Sequence, residues 1–124
     1  MNPDIGSFNK ALDRLAEALD APASDLVRDA SIQRFEFTFE LAWKAIKNTA
    51  TVEGLECMSP RSCFKLAFGQ GWIENESIWL VMLEDRNRAS HTYDEKLAEQ
   101  LYGRLPDYLG PFRSLLEMLQ LKRA

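Results

Sequence analysis

From Ser24 to Val52 the chain carries no turn signal, and this run constrains the fold more than any other feature. Pro22 precedes it and Gly54 follows it, so one long element is bounded by breakers on both sides. Its middle, RFEFTFELAW, reads two ways. Phe35, Phe37, Phe39 and Leu41 alternate as in a strand, whereas Phe35, Phe39, Ala42, Trp43 and Ile46 form a stripe of helical period. The surrounding Glu, Ala, Leu and Lys are strong helix formers, which favours helix over strand. Ser24 suits the N-cap. In a helix, Phe37 and Leu41 fall opposite Phe35 and Phe39. A helix apolar on two sides either lies deep in a bundle or meets another chain. A bundle this small encloses few helices fully, so Phe37 and Leu41 are candidate interface residues.

The other segments read as helices too. One spans Ile5 to Leu19, with Phe8, Leu12, Leu15 and Leu19 on one stripe. Ser59 and Pro60 start a short helix through Phe64 and Phe68, which Gly69 and Gly71 end. Another begins near Asn75, carries Ile78, Trp79, Met82 and Leu83, and runs out between Arg86 and Ala89. Thr92 with Glu95 fits a capping box for the last helix, which carries Leu97, Leu101 and Leu105 and is bent or broken at Pro106. Tyr108, Phe112, Leu115, Leu116 and Leu119 continue its apolar face. The predicted fold is all-α: an antiparallel up-and-down four-helix bundle with an additional short helix, one domain over residues 1–124. Trp43 and Trp79 read as core rather than as stacking platforms.

Apolar residues make up 46% of the chain, enough for a core without metal or disulfide help. The net charge of −4, from 15 basic and 19 acidic side chains, argues against a general nucleic-acid coat protein while leaving room for a small basic pocket. Cys57 and Cys63 lack partner histidines, so a zinc site is disfavoured and a pair of reduced thiols is expected. No stretch has the length of a membrane span, and MNPDIGSFNK lacks the basic start and apolar core of a secretory signal, which points to the cytoplasm.

The chemistry concentrates in RNRASHTY, Arg86 to Tyr93, which holds the sole histidine. On one straight helix Arg86 and His91 would point about 140° apart. A break between them lets the chain fold both toward one anion-accepting hollow. Arg86 can then grip phosphate oxygens in a fork and His91 can exchange a proton near neutral pH. Arg88 adds a second positive charge or points to water. Lys44 and Lys47 either help bind phosphates or are ordinary solvated charges. Tyr93 is either a core anchor or a reactive hydroxyl beside His91. Glu84 and Asp85 make a poor two-metal pair, and no cofactor is implied. These residues fit metal-free cleavage of an RNA phosphodiester, with Arg86 and His91 catalytic and a second copy of the chain supplying a second proton carrier. The bland alternative makes His91 a surface or cap residue and Arg86 and Asp85 surface charges.

Two passages carry a resemblance, IQRFEFTFELAWKAIK and RNRASHTYDEKLA, the second with a full R-x4-H-x-Y pattern at Arg86, His91 and Tyr93. On them the chain resembles the nucleotidyltransferase substrate-binding protein family, a branch of the HEPN helical-bundle superfamily. The resemblance implies a separately encoded minimal nucleotidyltransferase as partner. It implies either of two roles. One is a homodimeric RNase toxin, with Arg86 and His91 catalytic and Tyr93 the tyrosine the partner adenylylates. The other is a non-catalytic subunit that holds a nucleotide or substrate for that partner. A purely structural adaptor is the third class. The chain lacks the two-aspartate signature of a transferase.

Overall fold

The computed structural model describes residues 3–123 and contains six α-helices. They are α1 (Pro3–Asp20), α2 (Asp25–Val52), α3 (Pro60–Gly69), α4 (Glu76–Arg88), α5 (Glu95–Arg104) and α6 (Leu109–Lys122). Short 3-10 turns join α4 to α5 (Ala89–His91) and α5 to α6 (Leu105–Tyr108). No strand occurs among the described residues. The expected bundle is therefore present: α1, α2, α4 and the α5–α6 composite are its long members and α3 is the short addition.

The local causes are mostly the expected ones. Ser24 caps α2, its side chain accepting from the Val27 amide at 3.0 Å. RFEFTFELAW is helix throughout. Gly54, at φ 75°, makes the left-handed turn that leaves α2, and Gly71, at φ 77°, does the same after α3. Ser59, just ahead of Pro60, and Ser62 in the first turn form a reciprocal cap. Pro106 lies in the second 3-10 turn, so the last long helix is interrupted there rather than merely bent.

The cap of α5 differs from expectation. Asp94, not Thr92, is the N-cap residue, and its carboxylate accepts from the Lys96 and Leu97 amides. The Thr92 hydroxyl instead donates back to the Ala89 carbonyl at 3.3 Å. Thr92 closes the 3-10 turn after α4 with φ −74° and ψ 0°, not the extended backbone of an N-cap, and a carboxylate is a stronger acceptor at a positive helix end than a hydroxyl.

The cysteines also differ. Cys57 and Cys63 are joined as a disulfide that closes the loop between α2 and the first turns of α3, with both residues buried. Spacing alone does not reveal the pairing, because a Cα separation of 5.0 Å is created by the turn at Ser59.

The core is aromatic. Phe112 of α6 meets Phe8 of α1 at 6.1 Å between ring centroids, Phe35 of α2 at 6.3 Å and Trp79 of α4 at 5.5 Å. Phe39 and Phe64 bring α3 into the same cluster. Trp79 is core as expected, whereas Trp43 is only half-buried and spends its indole N–H on Glu40 at 3.1 Å. On α1, Ala18 takes the buried place and Leu19 packs at the margin.

Candidate functional site

The site segment leaves the bundle at the C-terminal end of α4. Asp85 sits three residues after Met82 and four before Ala89, both buried, so the helix puts its carboxylate on the inner stripe. It is completely buried, which corrects its reading as a surface charge. Arg104 grips it with two bonds, Nε to Oδ2 at 2.9 Å and Nη2 to Oδ1 at 2.7 Å. The Tyr108 hydroxyl donates to Oδ2, and Arg88 Nη1 donates to Oδ1 at 3.2 Å. Burial pushes the Asp85 carboxyl up, but the hydrogen bonds from Arg104 and Tyr108 and the Arg104 charge outweigh it and hold it below the usual carboxylate range. Burial, then the bond to Asp85, raises the Tyr108 phenol above its ordinary value, so it stays a donor.

Arg86 points elsewhere. Its Nη1 pairs with the Glu40 carboxylate on α2, and its guanidinium lies 5.2 Å from the centre of the Phe39 ring. Its Nε is buried without a hydrogen-bond partner. Glu40 is fixed from the other side by Trp43. Neighbouring Glu36 has its carboxyl raised by burial, an effect that the Arg86 charge opposes and Glu40 reinforces.

His91 ends the first 3-10 turn and is exposed. Tyr93 is 85% exposed, so the core-anchor alternative is overturned. The two form one open pair: the Tyr93 hydroxyl lies 3.4 Å from His91 Nδ1 and the rings meet edge-on at 5.9 Å. Among the described residues no hydrogen bond or ion pair joins Arg86 to His91. The chain does break between them, yet within this chain the guanidinium turns inward to Glu40 while the imidazole turns out to Tyr93.

Arg88 is half-exposed and already engaged by Asp85 and Glu84. Lys44 is exposed and Lys47 half-buried, one turn apart on α2, with no ion pair among the described residues. Phe37 is 55% exposed and Leu41 partly so. No group of three or more histidine, cysteine, aspartate or glutamate side chains among the described residues is placed to hold a metal ion. No helix among them is long and apolar enough to cross a membrane.

Sequence reasoning missed Asp85, Arg104, Tyr108 and Glu40. The signal for Asp85 was present, a carboxylate on a helix's apolar stripe. The signals for its partners were not, since they lie 19 and 23 residues downstream.

A helical bundle with an R-x4-H-x-Y segment at the exit of its fourth helix defines a class, and the comparisons narrow it. Residues 3–121 match the family described as nucleotidyltransferase substrate binding protein like. The chain belongs to that family. It is 30% identical to the probable ribonuclease HepT of Haemophilus influenzae over 101 residues, 77% of this chain and 69% of that protein. A Thermus thermophilus protein of known crystal structure superposes with a TM-score of 0.86 at 40% identity, covering 91% of this chain and 98% of that one. A Haemophilus influenzae protein, described as revealing the fold of a substrate binding domain of a nucleotidyltransferase, superposes at 0.84 with 26% identity, covering 94% and 98%.

Proposed function

We propose that the chain is the substrate- or nucleotide-binding subunit of a two-component nucleotidyltransferase and is not itself catalytic. The observation that carries this reading is the division of labour at the site. His91 and Tyr93 form an exposed polar and aromatic pair, while Arg86 is already neutralised by Glu40. Metal-free cleavage by these residues would need the Arg86 guanidinium free and beside the His91 imidazole, where charge gathers on the phosphate. A binding surface needs only an accessible ring to stack on, a hydrogen-bonding imidazole and positive charge nearby. Tyr93 and His91 supply the ring and the imidazole, and Lys44 and Lys47, which make no ion pair among the described residues, offer positive charge on α2. The fold shared with a nucleotidyltransferase's substrate-binding domain supports the same reading.

A second reading is favoured by the relative named a probable ribonuclease. In it the chain is the toxin of a two-gene toxin–antitoxin pair and cleaves RNA as a homodimer without metal. Arg86 leaves Glu40 for the scissile phosphate, and His91 of the facing copy moves the second proton. The separately encoded transferase silences it at Tyr93. There the phenol oxygen attacks the α-phosphorus of ATP, its proton departs and pyrophosphate leaves. The new O-linked AMP puts a negative charge two residues from His91.

One set of measurements separates the two. Calorimetric titration of the purified chain with ATP is expected to show binding that His91→Ala weakens about tenfold, or ~1.4 kcal/mol. A panel of RNAs incubated with the chain should stay intact. RNA cleavage that disappears in His91→Ala would transfer the conclusion to the second reading. Intact-mass analysis with the transferase and ATP then reports AMP on Tyr93 only in that case. Neither binding nor cleavage would sink both.

A further inference from the structure

On the outer side of the α1/α2 pair lie two hollows of about 460 and 270 Å3 that share Ala30 and Arg34. They lie end to end along α2 from Leu26 to Leu41, about 22 Å at the standard helical rise, and meet at Ala30 and Arg34 to make one trough-like face. Its apolar lining is open to solvent, with Leu26 81% and Phe37 55% exposed. An apolar face of this length, left uncovered on a folded chain, marks an interaction surface.

Its charge says what kind of partner fits. Lys10 and Arg14 on α1 and Arg34 on α2 line the larger hollow, and no carboxylate does. None of the three makes an ion pair among the described residues, although Arg34 Nη1 donates to the Arg14 carbonyl at 2.8 Å and is held across the α1/α2 seam by it. The smaller hollow contains one acidic side chain, Glu17. In a chain of net charge −4 this local excess of cations is opposite in sign to the whole. A second copy docking symmetrically around Phe37 would bring each copy's three cations toward the other's, with no carboxylate in the larger hollow to relieve them. The geometry therefore points to a different occupant. We propose that the trough docks an acidic amphipathic helix of another protein, with its apolar stripe on Phe37 and Leu41 and its carboxylates on Lys10, Arg14 and Arg34. About four turns of helix would fill the trough's length. The surface adjoins Glu36 and Glu40 at its Phe37–Leu41 end but includes none of Arg86, Glu40, His91 and Tyr93, and it does not depend on which reading of that site holds.

The test uses the whole chain and a fluorescein-labelled helical peptide of four turns, with leucines at i, i+4, i+7 and i+11 and glutamates on both flanks. Anisotropy is expected to report micromolar binding that weakens as salt is raised. Phe37→Ala and Arg14→Glu should each reduce affinity about tenfold or more while leaving thermal melts unchanged, since both side chains are exposed. A scrambled peptide of the same composition should not bind. The proposal is overturned if the acidic peptide does not bind, if the scrambled peptide binds equally, or if neither substitution matters. It is also overturned if sedimentation shows self-association that Phe37→Ala abolishes, because the trough then belongs to a second copy.

Discussion

Asp85→Ala is expected to destabilise the fold by about 2–4 kcal/mol, because it removes the charge-assisted bonds from the half-exposed Arg104 and Arg88 and leaves the buried Tyr108 hydroxyl without its acceptor. Arg104 would lose both of its bonds, Arg88 its shorter one, and the Tyr108 hydroxyl would be left buried without an acceptor. At this chain length the loss corresponds to a fall in Tm of about 10 °C or more. Glu84→Ala, one residue earlier and exposed, should change stability by no more than about 0.5 kcal/mol. Thermal melts of the two variants check the contrast. The acid dependence has a definite sign. The Asp85 carboxyl titrates below its ordinary value in the folded chain, so its contribution is full above the unfolded value of about 3.9 and is lost as pH falls through the lower folded one. The gap between wild type and Asp85→Asn should hold steady from neutral pH down to about pH 4 and narrow only below that.

Phe112→Ala is expected to cost about 3–5 kcal/mol by leaving a cavity where three helices meet. Its ring touches Phe8, Phe35 and Trp79, so the void would open between α1, α2 and α4 at once. Phe37→Ala removes the same side chain from an exposed face and should leave stability nearly unchanged. Chemical denaturation of both variants measures the difference. A small loss for Phe112→Ala would mean the aromatic cluster closes over the gap more readily than its packing implies.

The helices were legible in the sequence because their causes are local. Breakers at Pro22 and Gly54, the Ser24 cap and the stripe through Phe35, Phe39, Ala42 and Ile46 act within a few residues of one another. The α5 cap was misassigned because two acceptors compete at that turn, and only the 3-10 conformation of residues 89–91 decides for Asp94 over Thr92. The disulfide and the Asp85 network were not legible for a different reason. Each depends on where a turn sends the chain, and neither leaves a periodic trace. In the candidate segment, the break after α4 was legible, but Glu40, the residue that receives Arg86, lies 46 positions upstream. A pattern confined to eight residues carries no record of such a partner.

Beside its buried apolar neighbours, the His91–Tyr93 loop is held at both ends by ion pairs. Before it, Asp85 ties α4 to Arg104 and Tyr108. After it, the nearly buried Arg28 of α2 reaches Glu99 at 2.7 Å and Glu95 at 3.8 Å on α5, while also meeting Asp25 and Asp29 on its own helix. Of these two moorings, the Asp85 carboxylate is shut away from solvent, whereas the Glu95 and Glu99 carboxylates stand largely in water. Dissolved electrolyte therefore weakens the second and spares the first. The two attachments thus differ in kind: one is shielded from salt where the loop departs from α4, the other is open to salt where it enters α5. Raising buffer strength should therefore loosen the α5 side of the loop before the α4 side.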